Sequence, residues 1–534
     1  MAKKPLEEGG VHRAKLWEIA CYALNNTSTN VYMMVVASIS YFLVGIVGVG
    51  TVLAGSIVTI MRIWDGVTDP FIGMIVDNTN TKFGKNRPFI VLGQVILFVT
   101  TFVMFKFIPL MPTGIRFVAF IVIYMIYIIG YTCQCVVTKS AQTCLTNDPE
   151  QRPLFSVFDS TYNVLLMSVF WPLYLSGTMV PDYTLNMTNH AEKLNALVAQ
   201  NPALANCIKD GVLSGLYNPA MWQSVQLTMG IVAAVFACCA IVGLSRKDNA
   251  KYFGLGKAAK VSFKDYADVL AHNRGIQMLV VAASSDKLAS TTMSNASVLV
   301  ALYGIILGNY AMNGSVSAIT GVPTALIGII GIGFLATKMG QRKCLLVGTW
   351  GAIASGIALA ACVVVGKGGA FLLPTFKLTD LSTYGNLVNG ANWSTLGILF
   401  CFLYIAMKGF STMSGSIVIP MTADCADYEV YRSGRYVPGL MGTLFSFVDK
   451  VISSFAATIV SVVYAAIGYT NSLPAPEDPY STPILWTTLF LFIGMPMIGW
   501  ILNVVAMKFY PLTKEKMDSI QDEIARIKAE AMKQ

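Results

Sequence analysis

The chain has 534 residues and a net charge of +9 at pH 7; 55% of its residues are hydrophobic and only 12% are charged. A soluble protein of this length carries about 25% charged residues, so the composition excludes a soluble protein and predicts an all-α polytopic membrane protein. The charges lie in short gaps between apolar runs, which indicates a lipid bilayer as partner and no nucleic acid.

The amino-terminal segment, MAKKPLEEGGVHRAKLWE, is too polar to begin a cleavable signal peptide, and the apolar run after it is long enough to span a membrane. We therefore expect the amino terminus to stay in the cytoplasm. The eleven cysteines are scattered, nearly all of them in apolar runs. They indicate neither a disulfide framework nor a metal cluster.

Apolar windows of about 20 residues recur along the whole chain and predict twelve transmembrane helices. Basic residues concentrate in the connections that are cytoplasmic when the amino terminus is inside, and this asymmetry places both termini in the cytoplasm. The predicted spans are 19–43, 49–75, 89–110, 116–145, 154–177, 221–244, 275–306, 315–337, 344–366, 393–421, 437–469 and 482–507.

Two long connections suggest the domain organisation. The outer connection 178–220, within the amino-terminal half 1–244, is expected to hold a short amphipathic helix. The basic inner connection 245–274 separates this half from a second set of six helices in 275–507, and a six-plus-six arrangement predicts the major facilitator fold. Residues 508–534 are expected to form an amphipathic cytoplasmic tail.

The second predicted span carries charged side chains in the stretch RIWDGVTDP. Asp65 and Asp69 are four residues apart and Arg62 precedes Asp65 by three, so all three share one helical face. An ionised side chain at the centre of a membrane helix costs about 2.5–3.5 kcal/mol. We expect Asp65 and Asp69 to face a cation, since one arginine cannot neutralise two carboxylates; the alternative is a structural ion pair with Arg62.

Other short sequence motifs lie before and after RIWDGVTDP. They are Asn25-Asn26 in the first span, Gly73-x-x-x-Asp77 and Gly84-Lys85-x-Arg87-Pro88 after RIWDGVTDP, TNDPEQRP at 146–153, and MTADCADYEVYRSGRY at 421–436. Together they resemble the glycoside–pentoside–hexuronide:cation symporter family of major facilitators. The resemblance covers the twelve-helix body and excludes only the connection 178–220.

The resemblance implies roles for individual residues. It makes Asp65 and Asp69 the cation ligands, and it places Asn25, Ser446 and Lys450 where family members contact the sugar. For Asn25, an interhelical hydrogen bond is the alternative. The resemblance also implies a cytoplasmic gate, for which a merely solvated turn is the alternative; its residues are Gly73, Asp77, Gly84, Arg87, Arg152, Asp424 and Asp427.

The sequence also departs from the family pattern. The third aspartate of melibiose-type carriers is missing from CQCVVTKSAQT in the fourth span, which carries Lys139, and Asp159 and Ser160 stand near the position of an expected arginine. The coupling ion therefore stays open between Na⁺ and H⁺. Lys139 and Asp159 lie near the cytoplasmic ends of their helices, where snorkelling or a gate ion pair is the alternative to substrate binding.

The charges inside the predicted spans differ in sign between the two halves. Leaving out Lys106 and Arg116, which lie near the outer ends of their spans, three aspartates and two basic residues give the amino half a sum of −1, whereas three lysines with Asp286 and Asp449 give the carboxyl half +1. One cation and a monoanionic sugar acid would balance these charges; internal pairs such as Asp449 with Lys408, or a packing role for Asp286 or Lys287, are alternatives. The candidate substrate-binding residues are Asn25, Arg62, Lys139, Asp159, Asp286, Lys287, Lys408, Ser446 and Lys450.

These patterns predict a monomeric secondary symporter in a bacterial cell membrane that imports a glycoside or sugar acid, with a hexuronide-type anion as first choice. The coupling ion is Na⁺ or H⁺, and no cofactor is expected. A neutral glycoside or pentoside is the alternative substrate, and a lysolipid is a more distant one. The three histidines lie outside the predicted spans and no metal-ligand spacing such as H-E-x-x-H occurs, so an enzyme is not expected.

Overall fold

The computed structural model describes residues 13–79, 81–146, 151, 153–249, 271–366, 371–377, 380–387, 389, 392–433, 438–517, 519, 520 and 523. Within these residues, long helices occupy all twelve predicted spans. They are α1 (Leu16–Ala37 with Ile39–Val47), α2 (Thr51–Asn78), α3 (Arg87–Leu110), α4 (Thr113–Ser140), α5 (Leu154–Tyr183), α6 (Pro219–Leu244), α7 (Arg274–Met293 with Ala296–Ile306), α8 (Ala311–Ile330), α9 (Gln341–Val365), α10 (Thr395–Ser416), α11 (Pro438–Ala466) and α12 (Thr482–Phe509).

The described helices confirm an all-α polytopic membrane protein. Eight of them are long and apolar enough to cross a membrane, and the number rises to ten when the two parts of α1 and of α7 are each counted as one span. The other two are α2, which carries three charged residues in mid-helix, and α11, many of whose side chains are not described.

The chain forms two compact units. Unit 1 comprises residues 1–257 together with Tyr469–Leu473, and unit 2 comprises 258–468 and 474–534. The apolar core of unit 1 includes Ile19, Val76, Ile90, Val137 and Leu244. The core of unit 2 is built in the same way from side chains of several helices, among them Leu279, Leu345, Ile417, Met421 and Met507.

The first helix of each unit is bent in a similar manner. The two parts of α1 meet at 41° and those of α7 at 51°. Each second part ends in a π-helical stretch, Leu43–Val47 in α1 and Val300–Ile306 in α7. A glycine with left-handed φ of 83° follows each one, Gly48 and Gly308, where a side chain would be strained. The two units therefore share a structural repeat.

The connection between α5 and α6 contains more structure than one helix. A helix, Met187–Gln200, and a 3₁₀ turn, Pro202–Cys207, lie beside a small antiparallel sheet of β1 (Leu185–Asn186), β2 (Ile208–Lys209) and β3 (Val212–Leu213), in the order β1-β3-β2.

A buried arginine attaches this segment to the helices of unit 1. The Arg116 guanidinium donates to Asn201 Oδ1 at 2.8 Å and to the carbonyl oxygens of Ile46, Pro109 and Met111 at 2.8–3.0 Å. Asn201 in turn donates to the carbonyl oxygens of Gly45 and Ile46. The outer segment is thus a folded part of unit 1.

Candidate cation and substrate sites

The carboxylate of Asp65 lies in a buried cluster of oxygen atoms between α2 and α4. Asp65 is only 4% exposed, and its Oδ1 is 3.3 Å from the hydroxyl of Thr132. That hydroxyl lies 3.1 Å from the Thr68 hydroxyl, which donates to the Asp65 carbonyl oxygen at 3.1 Å. Thr68 and Thr132 are both buried. The helical spacing of Asp65 and Thr68 and the packing of α4 against them assemble the cluster.

Asp69 and Arg62 flank this cluster on α2. Asp69 is half-buried and Arg62 is exposed. Arg62 interacts electrostatically with Asp65 and with the phenol groups of Tyr124, Tyr127 and Tyr131 on α4. The charges of Arg62 and Asp65 therefore interact with each other, as the i, i+3 spacing predicts.

Asn25 lies in a different environment, because it is fully buried between α1 and α4. Its Nδ2 donates to Thr138 Oγ1 at 2.7 Å and to the Gln134 carbonyl oxygen at 3.3 Å. This geometry is that of an interhelical hydrogen bond.

The neighbouring asparagine faces α5 instead. Asn26 Nδ2 donates to Asp159 Oδ1 at 2.7 Å, and one turn further Asn30 Nδ2 donates to Asn163 Oδ1 at 2.6 Å. Asn26 and Asp159 line a small cleft together with Tyr22, Ala23, Thr138, Gln142, Phe155 and Ser156. Asp159 thus lines a cleft of unit 1, whereas the Lys139 side chain is exposed.

Two of the predicted charges of unit 2 lie near each other. Asp286 on α7 is buried and interacts electrostatically with Lys408 on α10. Lys408 Nζ lies 3.5 Å from the Ser294 hydroxyl, at the bend of α7, and 6.0 Å from the centre of the Tyr404 ring. Lys287 is exposed and Lys450 half-buried, while the side chains of Ser446 and Asp449 lie outside the described part of α11.

The loop before α3 is built around Asp248, which follows α6. The Asp248 carboxylate is fully buried and accepts from the backbone N–H groups of Lys85, Asn86 and Arg87 at 2.9–3.2 Å. Arg87 Nε lies 3.5 Å from Asp248 Oδ2, and Asn86 Nδ2 donates to Oδ1 at 3.0 Å. The carboxylate therefore caps the amino-terminal end of α3, where the helix dipole favours a negative charge.

Of the other predicted gate residues of unit 1, Gly73 has open space around it and Asp77 lies in the last turn of α2. The side chain of Asp77 and the whole of Arg152 lie outside the described residues.

Unit 2 has acidic groups in Val418–Ser433, a helix that follows α10. Asp424 accepts a hydrogen bond from Gln341 at the start of α9; burial and the nearby charge of Asp427 raise the pKa of Asp424 to about 6. Glu429 is buried and accepts from Asn273 at 2.9 Å and from Arg432 at 2.7 Å.

The sequence reasoning assigned no role to Thr68, Thr132, Asn26, Asp248 or Glu429, although Asn26 and Glu429 lie in motifs that it singled out. A repeated pattern could have directed attention to the loops at this end, since KFGKNR at 82–87 is matched by KMGQRK at 338–343, and Gly84 and Gly340 both have left-handed φ. Among the described residues, no group of three or more His, Cys, Asp or Glu side chains could hold a metal ion.

Comparison with known proteins places the whole chain among transporters. Residues 18–514 match the family model for MFS/sugar transport proteins. The isoprimeverose transporter of Lactiplantibacillus pentosus is 22% identical over 94% of this chain and 90% of its own length. A glucuronide carrier protein homolog of Escherichia coli K12 is 24% identical over 95% of this chain and 94% of its own length. In structure, the nucleoside transporter NupG covers 93% of this chain and 100% of its own, with a TM-score of 0.57 and 10% identity.

Proposed function

Since the chain belongs to the MFS/sugar transport protein family, we propose that it is a secondary active symporter that imports a sugar or glycoside with a cation. The chain is a multi-pass membrane transporter and not an enzyme. Its relatives include an isoprimeverose transporter and a glucuronide carrier homolog, which supports a sugar as the transported solute.

The oxygen cluster around Asp65 carries the cation half of the proposal. A buried carboxylate with two hydroxyl oxygens and a carbonyl oxygen close by is a set of hard oxygen ligands. A proton needs only the carboxylate, whereas a metal cation gains from each neutral oxygen. The cluster therefore favours Na⁺ over H⁺, with Asp69 supplying the second carboxylate.

Coupling follows from thermodynamic linkage. If Na⁺ at Asp65 and Asp69 raises the affinity for the sugar by some factor, the sugar raises the affinity for Na⁺ by the same factor. Alternating access of the two units then moves both solutes inward. In this proposal the protein works as a monomer in the cell membrane of a bacterium, with both termini in the cytoplasm.

For the substrate, we favour a sugar acid of the hexuronide type. The charges away from the ends of the predicted spans sum to −1 in the amino half and +1 in the carboxyl half, so one Na⁺ and one monoanion leave them balanced. Three lysines within the predicted spans of unit 2, Lys287, Lys408 and Lys450, are the candidate partners of its carboxylate.

A neutral glycoside is the second candidate, because the cleft of unit 1 offers a carboxylate and amides. Asp159, Asn26 and Gln142 suit the hydroxyl groups of a sugar, and Phe155 adds an aromatic face. A lysolipid ranks below both, since the side chains of Asn26, Gln142 and Asp159 line this cleft with amide and carboxylate groups.

The proposal is tested by uptake into proteoliposomes under an imposed inward Na⁺ gradient or an inward H⁺ gradient. We expect Na⁺ to drive accumulation of a glucuronide or a glucoside, and Asp69→Asn and Asp65→Asn each to abolish accumulation while the protein still inserts. Thr101→Val serves as control, because Thr101 is buried and bonds only within α3. Cation-driven accumulation by both aspartate variants would overturn the cation site.

A further inference from the structure

A five-residue piece of the second half of the sequence is built into unit 1. After α11 the chain enters unit 1 at Tyr469 and leaves it at Leu473, before α12. We call Tyr469–Leu473 the strap. Gly468, directly before it, has a left-handed φ of 105° and no atom near its Cβ position, and Pro474 follows it. The strap is therefore bounded by a glycine with room to rotate and by a stiff proline.

The strap is fastened to the beginning of α2. The Thr51 N–H donates to the Thr470 carbonyl oxygen at 2.8 Å, and the Thr51 hydroxyl donates to the Ser472 carbonyl oxygen at 3.0 Å. The first four N–H groups of a helix have no partner within the helix, so the strap supplies an acceptor that α2 itself lacks. Thr51 is fully buried, which makes this acceptor necessary.

A tyrosine from the outer segment holds the other end of the strap. Tyr217 Oη donates to the Leu473 carbonyl oxygen at 2.8 Å and accepts from the Leu473 N–H at 2.7 Å. The Tyr217 ring is fully buried against Tyr41, and a Cβ on Gly45 would overlap with it. The ring is thus fixed by α1, and its hydroxyl uses both its donor and its acceptor on one strap residue.

We propose that the strap is a releasable latch on α2, the helix that carries Asp65 and Asp69. Both ends of the strap continue covalently into unit 2. When unit 2 moves relative to unit 1, the strap must therefore either detach from α2 and Tyr217 or remain bound while the chain on both sides of it is strained. The contacts that hold the strap include four hydrogen bonds to Thr51 and Tyr217, which can open and re-form in each cycle. The inference rests on the proposed function in one respect, namely that transport proceeds by alternating access.

The reactivity of a cysteine in the strap tests release directly. Ser472→Cys is made in a Cys207→Ala background, because Cys207 lies in the same outer segment. The purified full chain in nanodiscs is treated with a water-soluble maleimide. Ser472 is only 6% exposed, so we expect slow labelling in the docked state.

Adding Tyr217→Phe should raise the labelling rate about fivefold, since it removes the hydroxyl that makes both bonds to Leu473 and keeps the ring. Tyr183→Phe is the matched control: it also removes a hydrogen-bonded hydroxyl, that to Ser224, without touching the strap. Equal rates in all three proteins would overturn the latch. This measurement needs no substrate, so it stands even if no sugar is accumulated and the proposed function fails.

A cross-link then shows whether release is part of the cycle. Thr51→Cys with Ser472→Cys places one thiol at the side chain that donates to the Ser472 carbonyl oxygen and the other on Ser472 itself, and oxidation with diamide should join the strap covalently to α2. We expect uptake in proteoliposomes to stop after oxidation and to return after reduction, while each single cysteine variant keeps transporting under diamide. Undiminished uptake by the cross-linked protein would show that the strap stays docked and would overturn the proposal.

Discussion

Gly84 and Asp248 lie directly against each other although they are far apart in the sequence. A Cβ on Gly84 would overlap with the Asp248 carboxylate, and Gly84 has a left-handed φ of 103°. The carboxylate accepts three successive backbone N–H groups at the start of α3. The absence of a side chain at Gly84 thus allows a buried anion to approach the helix end.

Gly84→Ala and Asp248→Ala should each destabilise unit 1. The alanine meets both steric overlap and a strained φ, and loss of the carboxylate leaves buried N–H groups without an acceptor, at a cost of about 3 kcal/mol. Thermal unfolding of the purified protein measures this. Gly114→Ala is the control, because no atom lies near a Cβ at Gly114; equal stability of the Gly84 and Gly114 variants would contradict the prediction.

Thr132→Val should weaken Na⁺ binding without preventing it. The substitution keeps the shape of the side chain and removes the hydroxyl next to Asp65 Oδ1. A hydrogen bond to a charged group is worth about 1.5–3 kcal/mol, so we expect the Na⁺ concentration for half-maximal uptake to rise about tenfold or more. Thr101→Val, at a buried threonine that bonds within its own helix, should leave it unchanged.

The fold was predictable because apolar length is a local property of the sequence. All twelve predicted spans contain helices, and the chain is a major facilitator as the motifs indicated. The bends of α1 and α7 were not predicted. At the α1 bend Ser38 makes no side-chain cap hydrogen bond, so the sequence gives little signal there, whereas at the α7 bend Asn295 caps the second part of the helix by accepting from the Ser297 N–H and could have indicated a new helix start. The outer segment was predicted only as one helix, because strands of two residues have no periodic signal.

The sites were predictable only where charge alone identified them. Asp65 and Asp69 were found because charges inside membrane helices are costly. Thr132 was missed, since a threonine in such a helix usually bonds a carbonyl of its own helix and nothing local distinguishes this one. Asp248 was assigned to a linker, because its partners stand about 160 positions earlier in the chain. Contacts of this kind become evident only when the helices are packed.

Asp286 and Lys408 should prove energetically coupled. Asp286→Asn or Lys408→Met alone removes one charge of the pair and should cost about 2 kcal/mol, because the other is left partly buried without it. The double variant should be more stable than the sum of the single effects predicts, by about 1–2 kcal/mol. Thermal unfolding of all four proteins gives the coupling energy, and a value of zero would mean that the two groups do not interact.

The stability of the protein should fall as the pH rises from about 4 to about 6, in part because of Asp424. Its pKa is raised from an ordinary value of 3.8 to about 6, so the folded protein holds a proton that the unfolded chain releases. This contribution to stability is fully present below pH 4 and is lost as the pH passes 6.

Asp424→Asn should flatten the dependence of stability on pH between pH 4 and pH 6. Asp427→Asn should move this pH range downward, since the Asp427 charge raises the Asp424 pKa. An unchanged profile in both variants would contradict the assignment.

The charge of the substrate should decide whether transport responds to membrane potential. One Na⁺ carried with a glucuronide moves no net charge, whereas one Na⁺ with the matching neutral glucoside moves one positive charge inward, and 100 mV then contributes about 2.3 kcal/mol. We expect the protein in proteoliposomes to transport the glucuronide in preference to the glucoside, because the lysines of unit 2 compensate the carboxylate. An imposed potential should have no effect on uptake of the glucuronide.

Lys450→Met should weaken glucuronide uptake more than glucoside uptake. A preference for the glucoside with a strong potential dependence would reject the anionic substrate and leave a Na⁺-coupled carrier of neutral sugars, whose hydroxyl groups the Asn26 and Asp159 cleft would bind.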